Sequence, residues 1–311
     1  MTTASASRAA SAAPADASRP SPLRAWLSAL RPATLTVGAV PVIVGSAVAF
    51  GEGGFDLLPA LLCLSGALLL QIGCNLVNDV EDFRRGADTA DRLGAPRAAQ
   101  RGWLTPQALR RGAGLTFALA ALVGGALTWH AGWPVLAIGV AGLLAAYAYT
   151  AGPWPLGYLG LGDALVLLFF GPVAVVGAAY AQLGQAPAVA WWAAAPIGAL
   201  ATAVLVVNNL RDRVGDARAG KRTLAVRFGA TAARGEYLAL VLSALLTPLA
   251  ALAAGVVGAL ALLPLLTLPL AWRCGRAVWT TDGADLNPWL GATAQLQLAF
   301  AGLWALALAA R

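Results

Sequence analysis

After residue 22 the chain alternates long apolar stretches, each about one bilayer crossing in length, with short polar segments. A run of ~20 apolar residues is what a helix needs to cross the hydrocarbon core of a membrane. Nine such runs can be drawn, at about 23–50, 57–77, 108–130, 133–151, 161–183, 188–210, 236–255, 257–274 and 288–310. The pattern predicts an all-α polytopic membrane protein of about nine transmembrane helices around a central cavity, with residues 23–310 as a single transmembrane domain. Pro32 and Pro41 are candidate kinks in the first run. The stretch from Glu236 to Arg273 has no charge between its ends and is too long for one crossing, so Gly255 and Gly258 mark the expected turn. Residues 1–22, rich in Ala and Ser, have too few large apolar residues for a core and are expected to form a disordered tail. They also lack the continuous apolar centre of a signal peptide.

Composition agrees with the pattern. The chain is 59% hydrophobic and 11% charged, where a soluble domain carries about 25% charge. The net charge of +7 does not point to nucleic acid, because the basic residues lie between the apolar runs. Arg84, Arg85, Arg92, Arg97, Arg101, Arg110 and Arg111 follow the second run, and Arg211, Arg213, Arg218, Lys221, Arg222, Arg227 and Arg234 follow the sixth. The segments after the first, third, fifth and seventh runs hold no Lys or Arg. The positive-inside rule then places the N-terminus and the basic segments in the cytoplasm, in a multi-pass protein of the cell membrane whose first partner is the lipid bilayer. Cys63, Cys74 and Cys274 lie in or beside apolar runs without metal-site spacing. His130, the only histidine, ends an apolar run away from the acidic stretches and reads as an interfacial residue.

Two polar stretches carry the chemistry. The second apolar run ends in Asn75-Leu-Val-Asn78-Asp79-Val-Glu-Asp82-Phe-Arg-Arg-Gly86-Ala-Asp88. At ~100° per residue, Asn75, Asn78, Asp79 and Asp82 share an arc of about 100° on a helix. The sixth run ends in Asn208-Asn209-Leu-Arg211-Asp212-Arg-Val-Gly-Asp216. There Asn208, Asn209, Asp212 and Asp216 share an arc of the same width. Hard divalent cations take oxygen ligands, and Mg²⁺ is typically held by one or two carboxylates plus substrate phosphates. Two such helix ends meeting across one cavity suit two Mg²⁺ ions on a diphosphate. Lys221, the only lysine, and Arg222 stand beside the second stretch, where cations complement a diphosphate.

Asn78-Asp79-x-x-Asp82-x-x-x-Gly86-x-Asp88 and Asp212-x-x-x-Asp216 resemble the two aspartate motifs of the UbiA superfamily of intramembrane prenyltransferases. The resemblance is strongest to the branch whose acceptor is 1,4-dihydroxy-2-naphthoate. Gly94-x-Pro96-Arg97, Tyr149-Thr-Ala-Gly-Pro153, Gly157-Tyr158-x-Gly-Leu-Gly-Asp163 and Phe170-Gly171-Pro172 carry it. So do Asn208-Asn209-Leu-Arg211-Asp212 through Gly220-Lys221-Arg222-Thr223-Leu224-Ala-Val-Arg227, and Leu286-Asn287-Pro288. The likeness covers about residues 23–310. Asp163 stands where this branch has Glu, Arg101 where it has Ser, and Asp88 two residues beyond the common superfamily spacing.

The resemblance implies transfer of a polyprenyl chain from polyprenyl diphosphate to the naphthoate, with release of diphosphate and CO₂, giving the reduced, dihydroxy form of demethylmenaquinone. It implies Mg²⁺ as cofactor. Asp79, Asp82, Asp212 and Asp216 are the expected catalytic acids, and with Asp88 the expected metal ligands. Arg211, Lys221 and Arg222 are expected at the diphosphate, Arg97, Tyr149 and Asp163 at the aromatic acid acceptor, and Asn75, Asn78 and Asn208 as further substrate-binding residues. Another ring such as 4-hydroxybenzoate is the alternative acceptor. A membrane transporter is the alternative of a different class, because intramembrane acids also mark ion paths.

Overall fold

The computed structural model describes residues 20–89 and 91–311, and every regular element among them is helical. The tail expected over residues 1–22 lies outside the described residues as far as residue 19. Seven helices among the described residues are long and apolar enough to cross a membrane, and an eighth apolar helix is shorter.

The first expected span is two helices, α1 (Pro22–Leu30) and α2 (Pro32–Gly51). Each has proline in its first turn, where the missing N–H needs no partner. Between them Arg31 holds left-handed backbone (φ 53, ψ 69), the only non-glycine to do so among the described residues. The chain breaks there, and α2 runs on through Pro41.

α3 (Leu57–Arg84) starts on Asp56, whose carboxylate accepts the Leu58 N–H at 3.0 Å. α4 (Pro106–Ala131) starts on Thr105 in the same way, accepting the Ala108 N–H at 3.1 Å. These side chains satisfy donors that a helix N-terminus leaves free. α5 (Trp133–Ala148) is the short apolar helix. α6 (Gly162–Leu168) and α7 (Gly177–Leu183) are halves of one crossing, joined by a wide π-type turn over Phe169–Val176. That turn contains Pro172 and non-helical backbone at Gly171.

α8 (Ala188–Arg218) is the central helix: 72% of its apolar window is buried, against 17% for α3. It packs against α2, the π turn, α9 (Leu224–Ala253) and α11 (Asn287–Ala309). A Cβ at Gly198 would lie 2.6 Å from the Leu167 carbonyl and 2.9 Å from the Gly171 Cα, so α8 meets the π turn backbone to backbone. Close approach of small residues replaces the hydrophobic drive that is missing between helices in lipid.

The eighth expected span, 257–274, takes a different form. Ala259–Thr267 is a 3₁₀ segment containing Pro264, followed by α10 (Leu268–Thr280) with proline in its first turn. Two prolines so close together remove backbone donors and prevent one continuous α-helix.

The loops after α3, α5, α8 and α10 lie on one face and are tied together. Arg85 donates to the Gly152 carbonyl at 3.4 Å, and the Arg222 N–H to the Tyr158 carbonyl at 2.8 Å. Asn287 Nδ2 donates to the Leu93 carbonyl at 2.9 Å, and Arg234 reaches Asp282 at 3.0 Å. On the opposite face Arg311 meets Glu52 at 2.5 Å, and the Asp56 N–H reaches Gln182 at 3.4 Å. Both acid motifs therefore end at the same face, away from the C-terminus.

Candidate active site

The two motif helices end in the same backbone cap. After α3 the Ala87 N–H donates to the Asp82 carbonyl at 2.8 Å and the Gly86 N–H to that of Phe83 at 3.1 Å. After α8 the Lys221 N–H donates to the Asp216 carbonyl at 2.9 Å and the Gly220 N–H to that of Ala217 at 3.2 Å. This is the Schellman arrangement, which needs left-handed backbone at the residue after the helix. Gly86 (φ 70) and Gly220 (φ 76) supply it, with open space where a Cβ would be, so it is the backbone angle that calls for glycine. The shared cap equates Asp82 with Asp216 and Asn78 with Asp212.

The ends meet on Lys221. Its ammonium lies 3.3 Å from Asp82 Oδ1 and 3.5 Å from Asp216 Oδ1, and 4.9 Å from the centre of the Tyr158 ring. The Tyr158 hydroxyl donates to Asp82 Oδ1 at 2.7 Å. Burial pulls the Lys221 pKa down, but Asp82 and Asp216 more than offset it, so the ammonium is held above the ordinary lysine value. Burial and the neighbouring Asp82 push the Tyr158 phenol well up, which keeps it a donor. On α8, Arg211 grips Asp212 with Nε at 2.8 Å and Nη2 at 2.5 Å, and donates to Asn208 at 2.8 Å and Asn287 at 3.1 Å.

These groups form the polar head of a cavity of about 1510 Å³. Asn75, Asn78, Asp82, Asn208, Asn209, Arg211, Asp212, Asp216 and Lys221 all line it. Along α3 the lining runs from Leu62 to Asp82, about 30 Å of helix at 1.5 Å per residue. The lower walls are apolar, with Leu62, Leu127, Val135 and Phe170 among them. Arg97, Tyr149 and Asp163 also line the cavity. Asp163 is buried and accepts from Asn209 Nδ2 at 3.3 Å. Arg97 Nε lies 3.5 Å from Asp88 Oδ2 and is buried without a hydrogen-bond partner.

Three of the residues expected at the site are placed elsewhere. Asp79 is 1% exposed and does not line the cavity. Its two oxygens accept the N–H groups of Ala98 and Ala99, each at 3.1 Å. Asp88, in the loop after α3, is bound by Arg92 and Arg97, and burial raises its pKa to about 6. Arg222 is exposed and stands outside the lining.

Some lining residues were missed from the sequence. Arg31 lines the cavity and donates to the Asn75 carbonyl at 3.4 Å, while Asn75 Nδ2 donates to the Leu30 carbonyl at 3.0 Å. Its one signal was an arginine before proline at a helix start. Tyr158 and Asn287 sat inside the motifs, but nothing in the pattern gave them a direction.

Among the described residues no three His, Cys, Asp or Glu side chains come close enough to enclose a metal alone. The donors nonetheless fit a hard divalent cation. Asp82 and Asp216 already hold one positive charge between them, and a bound diphosphate would supply the oxygens the protein does not.

The fold and site define an integral membrane protein of helices, with paired acid motifs heading a membrane-deep apolar cavity built for an amphiphile with an anionic head. The chain belongs to the UbiA prenyltransferase family, whose model matches residues 39–291. The 1,4-dihydroxy-2-naphthoate octaprenyltransferase of Escherichia coli strain K12 is 42% identical, over 71% of this chain and 74% of that one. The Mycobacterium tuberculosis protein of the same name is 38% identical, over 91% of this chain and 95% of its own. A solved UbiA homolog from Archaeoglobus fulgidus bound to GPP and Mg²⁺ aligns with TM-score 0.64 at 18% identity, over 92% of this chain and 100% of that one. At that identity the likeness speaks for the fold.

Proposed function

We propose that the protein transfers a polyprenyl chain from its diphosphate to 1,4-dihydroxy-2-naphthoate, with release of diphosphate and loss of the ring carboxylate as CO₂. One observation carries the reading. The two acid motifs meet on Lys221 at the head of an apolar cavity, in a chain whose relatives along most of its length bear that activity's name.

Asp82, Asp212 and Asp216, with the amide oxygens of Asn78 and Asn208, are the residues that would hold Mg²⁺. Bound there, Mg²⁺ would neutralise the diphosphate and make it a better leaving group. Lys221 and Arg31 face the same space and complement the remaining phosphate charge. Tyr158 keeps Asp82 oriented through its 2.7 Å hydrogen bond. Positive charge preorganised around the departing diphosphate acts where charge develops, the kind of term that is usually largest in catalysis.

The apolar walls receive the prenyl tail. They also keep water from the allylic cation formed as the C–O bond ionises. Arg97 can grip the ring carboxylate through two parallel hydrogen bonds. Tyr149 and Asp163 stand on the same cavity and would orient the ring hydroxyls. The carboxylated carbon then attacks the cation, and the carboxylate leaves as CO₂. The clustering of Arg and Lys on the motif face supports a cytoplasmic placement of that face.

The test is an acceptor panel in proteoliposomes with Mg²⁺ and a polyprenyl diphosphate. The naphthoate should be prenylated at least about tenfold faster than 4-hydroxybenzoate, the low end of what losing apolar contact in a pocket costs. Faster use of 4-hydroxybenzoate would move the protein to another branch of the family. No transfer to any ring would overturn the reading.

A further inference from the structure

We infer that Asp79, although it stands first in the acid motif, is a positioning residue: it fixes the loop that presents Arg97 to the cavity. The inference rests on the proposed function only in taking Arg97 as the acceptor's grip.

Three observations support it. Both Asp79 oxygens are engaged by backbone N–H groups, of Ala98 at 3.1 Å and Ala99 at 3.1 Å, and the carboxylate is buried outside the cavity lining. The segment it holds is a single turn, closed by the Arg101 N–H on the Arg97 carbonyl at 3.0 Å and the Gly102 N–H on that of Ala99 at 3.0 Å. The first N–H groups of such a turn have no partner within it. Asp79 caps them from another helix, and Arg97 is the residue just before. The two motifs also share one backbone cap, so their positions can be equated. Asp82 matches Asp216, and the position three residues before each holds Asp79 in one and Arg213 in the other. The repeated metal-side pattern is therefore Asn78-x-x-x-Asp82 and Asp212-x-x-x-Asp216, with no acid equivalent to Asp79.

The rest of the loop is held as if for one purpose. Asp88 binds Arg92 and stands 3.5 Å from Arg97, and Asn287 donates to the Leu93 carbonyl at 2.9 Å. A Cβ at Gly94 would lie 2.7 Å from Arg211 Nη2, so the loop rests directly on the second motif. Arg97 alone in this set has a buried nitrogen with no hydrogen bond while lining the cavity. Asp79 thus links the end of α3 to the acceptor side of the site.

The experiment compares Asp79→Asn with Asp82→Asn on three readouts. Mn²⁺ binding, followed by electron paramagnetic resonance with a geranyl thiolodiphosphate present, should be unchanged within twofold in Asp79→Asn and clearly weakened in Asp82→Asn. KM for the naphthoate should rise about tenfold in Asp79→Asn, the scale of leaving one buried N–H unpaired, with KM for the prenyl diphosphate unchanged within twofold. Amide exchange at Ala98 and Ala99 should accelerate in Asp79→Asn. Ala98→Pro, which deletes one donor at the first position of the turn and leaves every acid in place, should reproduce the acceptor defect. It serves alone if Asp79→Asn does not fold. Mn²⁺ binding lost in Asp79→Asn as in Asp82→Asn would overturn the inference. So would an unchanged acceptor KM in both loop variants, or unchanged exchange at Ala98 and Ala99. The metal and exchange readouts do not depend on which ring is the acceptor, so they separate this inference from the proposed reaction.

Discussion

Asp82 and Asp216, from helices far apart in the chain, share one counter-ion: the Lys221 ammonium, 3.3 Å from the first and 3.5 Å from the second. One lysine between two buried acids leaves that pair of carboxylates with one negative charge in excess, which suits a divalent cation. It also keeps an ammonium within reach of whatever anion that cation brings.

Asp82→Asn and Asp216→Asn should each lower turnover by at least ~10²-fold, the scale of removing one preorganised electrostatic group. Each should also raise the Mg²⁺ concentration needed for half-maximal rate. A Mg²⁺ titration of initial rates checks both effects. A near-normal rate at low Mg²⁺ in either variant would remove that acid from the metal side of the site.

Tyr158→Phe removes only the hydroxyl that donates to Asp82 at 2.7 Å. A hydrogen bond to a charged group is worth about 1.5–3 kcal/mol, so kcat/KM for the prenyl diphosphate should fall about tenfold or more. Unchanged steady-state kinetics would show that Asp82 needs no such support.

Gly198→Ala should destabilise the fold by about 1–3 kcal/mol, the usual cost of overpacking. The added methyl would meet the Leu167 carbonyl at 2.6 Å, and backbone cannot step aside as a side chain can. Gly302→Ala on α11, where nothing lies within 4 Å of the new Cβ, is the control and should be neutral or slightly stabilising. Thermal unfolding in detergent compares the two, and equal midpoints would deny the close contact of α8 with the π turn.

Single cysteines should report the orientation. Arg218→Cys, at the end of α8, should react with an impermeant thiol reagent only after cells are opened. Gln185→Cys, in the loop before α8, should react in intact cells. Labelling of position 218 from outside would invert the topology drawn from the arginine clusters.

The acid motifs were legible because polar residues at the end of an apolar run stand out, and helical spacing fixes their relative angles. Direction was not legible. Asn78 and Asp79 lie at the two edges of the same ~100° arc, so no count of angles says which edge faces the cavity. The structure turns Asn78 inward and Asp79 to the loop, a choice made by donors on Ala98 and Ala99 that the local sequence does not reveal. The apolar runs likewise located the membrane helices but not their breaks. The break at Arg31 falls at Pro32, one of the two prolines read as candidate kinks, whereas Pro41 lies inside a continuous α2. The π turn at Gly171, which contains Pro172, was not read from the apolar run. The 3₁₀ segment at Ala259–Thr267 was readable from Pro264 and Pro269, residues the hydrophobic pattern alone passed over.

The most direct measurement is of carbon released per chain transferred. Purified protein in lipid would be given Mg²⁺, a polyprenyl diphosphate and 1,4-dihydroxy-2-naphthoate labelled with ¹³C in its carboxyl group. One labelled CO₂ should appear for each prenylated ring, with none when either Mg²⁺ or the prenyl diphosphate is left out. A prenylated product that keeps the label, or CO₂ release without prenyl transfer, would contradict the proposed reaction.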